Sequence, residues 1–154
     1  MPTFTDPRIL VDASTRDDAA VYQLAPDRAI VATVDFFTPI VDDAYDFGRI
    51  AAANAFSDVY AMGATPLFAL NSSAGRATRC RTTYSAEVLR GGADIARQDA
   101  GAFVLGGHSV DDPGAEIRHG RRSARSHPNR VTIARDARVG DVPRAHKTDR
   151  HRVC

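Results

Sequence analysis

Three sets of carboxylates and one glycine-rich segment carry the chemistry in this chain: Asp17-Asp18, Asp35, Asp58 with Asn54 four residues before it, and Gly106-Gly107-His108-Ser109. Carboxylates repel phosphate directly, so they belong at a nucleotide site when hard cations bridge them to polyphosphate oxygens. The Gly106 to Ser109 segment offers what those oxygens need, namely approachable backbone N–H groups and a hydroxyl. Together the four imply metal-dependent phosphoryl transfer. Singly each has a plainer reading. Paired aspartates are mostly solvated, a Gly-Gly pair is mostly a turn, His108 is an ordinary loop histidine, and Asp58 caps or pairs locally.

These residues need elements to hold them. Residues Gly48 to Gly63 read as an alanine-rich, proline-free helix bounded by glycines, with its stop at Gly63. Asn54 and Asp58 then share one face, with Ser57 beside them. Ile50, Phe56, Val59 and Met62 supply buried contacts, while Ala51, Ala52 and Ala55 admit another backbone closely. Ile9 to Val11 form a brief apolar run, and strands are expected at Ala19 to Tyr22, Ala29 to Val34, Pro66 to Leu70 and Gly101 to Leu105, with a turn at Pro26-Asp27 and a second helix over Glu87 to Arg97. Asp18 and Asp35 therefore stand at strand ends, and Gly106 to Asp112 forms a loop closing the last strand. Residues 72–85 show neither period nor turn logic. Patterning is lost again beyond Pro113, except around His127 to Val142.

The 154 residues allow one domain with a real core. No apolar run approaches the roughly 20 residues of a membrane span, and the cytoplasm is the expected compartment. Cys80 and Cys154 provide neither metal spacing nor a disulfide framework. The net charge of +1 hides a break: residues 1–113 hold 9 basic and 15 acidic side chains, residues 114–154 hold 11 and 4. Nineteen of the 20 basic residues are arginine. At face value the basic tail is a nucleic-acid arm, whose affinity would fall steeply with salt. The competing reading is that it is not the intended sequence.

The segments Thr15 to Tyr22, Thr33 to Phe37, Asp46 to Gly63 and Gly106 to Asp111 resemble selenophosphate synthetase (selenide, water dikinase), in order and in spacing. Their weaker forms recur across the aminoimidazole ribonucleotide synthetase superfamily, whereas Asp35-Phe36-Phe37 and Gly106-Gly107-His108-Ser109 point to this member rather than to thiamine monophosphate kinase or a hydrogenase-maturation protein. The resemblance covers residues 8–71 and 86–113, with 127–142 more loosely. It implies an α+β (mixed α/β) fold, an incomplete aminoimidazole ribonucleotide synthetase-like N-terminal ATP-binding domain, whose sheet in the family pairs with a second copy in a homodimer. It also implies ATP-dependent conversion of selenide and water to selenophosphate, with AMP and phosphate released. By the same resemblance Thr15, Arg16 and Asp17 contact ATP, Asp18 binds Mg2+, Asp35 lies at the ATP site, and Asp58 serves both metal and ATP. Gly107, His108 and Ser109 hold phosphates, and Asn54 is a second-tier candidate.

The family's flexible glycine-rich loop, with its reactive Cys or selenocysteine and nearby Lys, has no counterpart among these residues, and neither does its C-terminal domain. The unpatterned stretches are expected to be out of frame. With codons chosen to allow it, Ser72 to Arg81 read in a shifted frame gives Leu-Val-Gly-Trp-Pro-Arg-Asp-Ala-Leu-Pro, and Gly114 to Arg122 gives Glu-Pro-Lys-Tyr-Gly-Met-Ala-Val. Pro143 to His151 behaves likewise, and GC-rich DNA read out of frame accounts for the arginine excess. The expected organisation is a partial ATP-binding domain over residues 1–113, out of frame at 72–85, followed by a largely out-of-frame, disordered tail over 114–154. Such a chain is expected to be inactive by itself; a non-catalytic remnant that at most dimerises is the alternative.

Overall fold

The computed structural model describes residues 4–75, 82–111, 118–119, 122–126 and the single positions 128, 131 and 139. Its elements run β1 (Ile9–Val11), β2 (Ala20–Ala25), β3 (Arg28–Thr33), α1 (Ala44–Ala61), β4 (Thr65–Gly75), α2 (Thr82–Gln98), β5 (Phe103–Asp111), β6 (Arg118–His119) and β7 (Arg122–Ser126). The strands form one sheet in the order β1-β2-β3-β7-β4-β5, with β6 pairing β4. Among the described strands only β4 and β5 run parallel, joined through α2 as a parallel pair requires. The remaining pairs are antiparallel. The two helices pack together over one face of this sheet, which is the mixed α/β arrangement expected.

Inward positions of β2 and β3 alternate as a half-buried strand must. Val21 faces Val31 in the ladder, and both are buried with Val11, Ala29, Val59 and Met62. A second cluster joins both helices to the sheet through Ala52, Phe56, Ala69, Ala96 and Ala102. A third, Phe47, Ala51 and Val88, lies between the helices. There Phe37 meets the Phe47 ring edge-on at 5.8 Å between centroids.

Helix α1 begins a turn before Gly48. Asp43 is its N-cap, accepting from the Asp46 N–H at 2.8 Å, so the chain enters the helix at Ala44. Gly48 is an interior residue instead of a boundary, because a Cβ there would lie 2.0 Å from the Val88 carbonyl oxygen of α2. Gly91 plays the reciprocal part, since a Cβ there would lie 2.1 Å from the Tyr45 carbonyl oxygen. The helix stops where expected: Gly63 has φ +67°, and its N–H donates to the Tyr60 carbonyl.

Two further expectations differ from the structure. The unpatterned stretch 72–85 contributes its first four residues to β4 and its last four to α2; residues 76–81 lie outside the described residues. In the tail, expected to be disordered, β6 and β7 form, and β7 lies between β3 and β4. The physical reason is common to both. Backbone N–H and C=O groups pair whatever side chains they carry, so β7 pairs with the facing edges of β3 and β4 without an apolar pattern of its own. The patterned run from His127 to Val142 lies outside the described residues apart from three positions.

Candidate functional site

The carboxylates converge at one end of the sheet. Asp18 precedes β2, Asp35 follows β3, and Asp58 projects from α1, on the face expected from its spacing to Asn54. Their charges are mutually felt. Asp58 has its pKa raised, first by burial, then by the like charges of Asp35 and Asp18, while a hydrogen bond from Thr33 acts in the opposite sense. Thr33 donates through Oγ1 to Asp58 Oδ2 at 2.6 Å. Asn54 donates through Nδ2 to Asp35 Oδ2, so Asn54 and Asp58 are each bonded to one strand-end group. Ser57 is turned elsewhere, donating to the Asn54 carbonyl at 2.7 Å.

The segment before β2 is held in an unusual shape. Arg16 has φ +57°, the left-handed region that non-glycine residues rarely occupy. An Asx-type turn supports it: Asp12 Oδ1 accepts from the Ser14 N–H at 2.8 Å, and the Asp12 carbonyl accepts from the Thr15 hydroxyl at 3.0 Å. The Ser14 bond keeps the Asp12 pKa below its ordinary value. Thr15, Arg16 and Asp17 are thus fixed immediately ahead of Asp18. Asp12 and Thr33 were missed by sequence reasoning. Thr33 had a readable signal, being a hydroxyl at the third inward position after Ala29 and Val31.

The glycine-rich segment is not a loop. Residues Gly106 to Ser109 continue β5, which runs to Asp111, and Gly107 pairs with Asn71 across the parallel ladder. The glycines serve that strand. A Cβ on Gly107 would stand 1.9 Å from the Asn71 carbonyl oxygen, and Gly106 takes φ +143° where the ladder register shifts. His108 and Ser109 are exposed, and the Ser109 hydroxyl lies 2.9 Å from that of Ser73. From β3 to β5 is three ladder steps, about 14 Å at the usual strand spacing. The structure therefore gathers Asp18, Asp35, Asp58, Asn54 and Thr33, and leaves Gly107, His108 and Ser109 on a separate strand.

The donor set suits a hard cation, since every side chain gathered here offers oxygen or an amide. It is a partial set. Among the described residues no group of three or more His, Cys, Asp and Glu side chains stands close enough to hold a metal ion by itself. Magnesium tolerates this, because it takes one or two carboxylates and fills the rest of its octahedron with water and substrate phosphate. The crowded charges around Asp58 fit such an ion, whose arrival would offset their repulsion.

Two helices over one face of a mixed sheet, with carboxylates gathered at a sheet end, define a mixed α/β domain with a clustered acidic site. Residues 16–119 match the family model for the AIR synthase related protein, N-terminal domain, and the chain belongs to that family. It is 50% identical to the selenide, water dikinase of Carboxydothermus hydrogenoformans over 92% of this chain and 40% of that one. It is 53% identical to the enzyme of the same name from Caldanaerobacter subterraneus subsp. tengcongensis, over 87% and 38%. The chain thus spans about two fifths of the length of these relatives. Among solved structures, Thermotoga maritima PurL complexed with AMPPCP shares the fold, with a TM-score of 0.63 and 18% identity over 82% of this chain and 23% of that one. Aquifex aeolicus thiamine monophosphate kinase shares it also, with a TM-score of 0.54 and 20% identity over 71% and 39%. Among the described residues no helix is long and apolar enough to cross a membrane.

Proposed function

We propose that these residues form the nucleotide-binding half of a selenide, water dikinase. The full-length enzyme would make selenophosphate from selenide and water at the expense of ATP, releasing AMP and phosphate. The observation that carries the proposal is the convergence of Asp18, Asp35 and Asp58 around Thr33, in a chain about half identical to relatives of that name. In this reading Asp18 and Asp58 hold Mg2+, which neutralises the polyphosphate charge. Thr15, Arg16, Asp17, Asp35 and Asp58 line the ATP site, with Asn54 fixing Asp35. Gly107, His108 and Ser109 meet phosphates from β5, so they act on a different part of the nucleotide from the carboxylates.

The same reading makes the full-length enzyme a cytoplasmic homodimer whose sheets pair, a pairing not expected of this chain alone, and makes nucleic acid no partner of the arginine-rich segment. It is supported against a thiamine monophosphate kinase by the gap between 50% identity to the dikinases and 20% to that kinase. Calorimetric titration of the chain with AMPPCP, with and without Mg2+, tests the site. Binding that requires Mg2+ is expected; no binding under either condition overturns the assignment. The chain alone is expected to form no selenophosphate from ATP and selenide, and turnover by the purified chain would show that the remaining three fifths of the relatives is dispensable.

A further inference from the structure

Among the described residues Thr33 carries the hydroxyl at the centre of the carboxylate group, and nothing about the proposed reaction requires it as a ligand. Its residue is only 6% exposed, at the end of β3, inward of the sheet in line with Ala29 and Val31. Its Oγ1 lies 2.6 Å from Asp58 Oδ2 and 3.4 Å from the Asp18 carbonyl oxygen. A hydroxyl has one proton, and the shorter contact takes it, so Thr33 donates to Asp58 while sitting against the backbone of Asp18. Three elements thereby meet at one atom: α1 through Asp58, the entry to β2 through Asp18, and β3 through Thr33 itself.

The arrangement has a consequence for Asp58. An aspartate on an exposed helix face samples several rotamers, and each sends its oxygens in a different direction. A buried threonine has little freedom of its own, because β-branching restricts χ1. The bond from Thr33 therefore selects one orientation and occupies one oxygen, leaving Asp58 Oδ1 to meet a cation without reorganising. Valine at position 33 would keep the shape and the strand propensity while removing the donor.

We infer that Thr33 is a positioning residue, whose hydroxyl fixes the Asp58 carboxylate and the Asp18 backbone in the relative placement needed to bind a divalent cation with a nucleoside triphosphate. This rests on the proposed nucleotide site. The test uses the 154-residue chain, calorimetry with AMPPCP and Mg2+, electron paramagnetic resonance of Mn2+ alone, and thermal melts as the check on folding. Thr33→Val is expected to melt like the parent yet bind both probes about 10- to 100-fold more weakly, the usual cost of losing a group that orients a metal ligand. Thr33→Ser restores affinity to within about threefold, as a retained donor should. In the Asp58→Asn background Thr33→Val has no further effect. Should valine disturb the sheet, Thr33→Ala is read against Thr33→Ser in its place. Equal affinity of Thr33→Val and the parent overturns the inference, as does serine failing like valine. If the parent binds neither probe, the nucleotide site itself is wrong and the inference falls with it.

Discussion

The two halves of the sheet were assembled on different terms. In β1-β2-β3 with α1, side-chain pattern and backbone pairing agree: inward residues are apolar or the site's own polar groups, and Val21, Val31, Val59 and Met62 are at most 2% exposed. In β7-β4-β5 the strands pair, with register shifts, but the alternating pattern is not carried. The strand between β3 and β4 reads Arg-Ser-Ala-Arg-Ser, and the β5 edge leaves Phe103 and Leu105 65% exposed. The contrast teaches that hydrogen-bonded pairing can be satisfied by nearly any backbone, whereas stability comes from what the side chains bury. The carboxylate site stands on the half where both conditions hold.

The largest expected difference comes from deleting a ring on each side. Phe56 is 2% exposed, and its contacts reach both helices and β4. Phe56→Ala should cost about 3–5 kcal/mol. Phe103→Ala, at the open edge, should change stability by less than about 0.5 kcal/mol. Denaturant melts of the two variants check this, and comparable losses would erase the distinction between the halves. Next is the helix crossing. Gly48→Ala places a methyl 2.0 Å from a backbone carbonyl that cannot yield locally, and should cost about 1–3 kcal/mol.

The central strand allows the comparison to be sharpened in the other direction. Arg125 pairs with Ile30 and Thr65, and Arg122 with Thr33 and Ala69. If the segment is out of frame, as its composition leads us to propose, its residues were never selected for this slot. Arg125→Val and Arg122→Val should then each raise stability, by up to about 1 kcal/mol on β-propensity. A loss in both would show that the arginines belong there. Resequencing the gene answers the same question directly.

How much of this was readable follows the same division. The helix carrying Asn54 and Asp58, its glycine stop and strands β2 and β3 were legible because local propensity, period and burial all agree there. The start of α1 was missed because Gly48 as a crossing point depends on what lies opposite: Val88 belongs to a helix, α2, far along the chain. Strand β7 was illegible because nothing in Arg122 to Ser126 alternates in polarity; its place is set by the edges of β3 and β4. The Gly106 to Ser109 strand was read as a loop because glycines that admit a neighbouring backbone look, in sequence, like glycines that turn. Thr33 was passed over since a threonine within an apolar strand fits β-propensity alone.

The smallest effect isolates what the site costs the fold. Burial, with Asp35 and Asp18 nearby, raises the Asp58 pKa above its ordinary 3.8, so the folded protein holds the proton more tightly than the unfolded chain. Stability from this group is therefore greatest in acid, and it declines as pH rises from about 3.8 through the raised folded value. Asp58→Asn keeps an acceptor for Thr33 without the charge. It should melt like the parent below that window and gain less than about 1 kcal/mol at neutral pH, because the group is only partly buried and its repulsions are partly screened. With saturating Mg2+ and AMPPCP the order should reverse, since only the parent gains binding energy from the ions. Melts at pH 3.5 and pH 7, with and without those additions, read both signs. A variant less stable than the parent at neutral pH without ligand would mean that Asp58 supports the fold, and the carboxylate group would lose the mark of a site held in readiness for a cation.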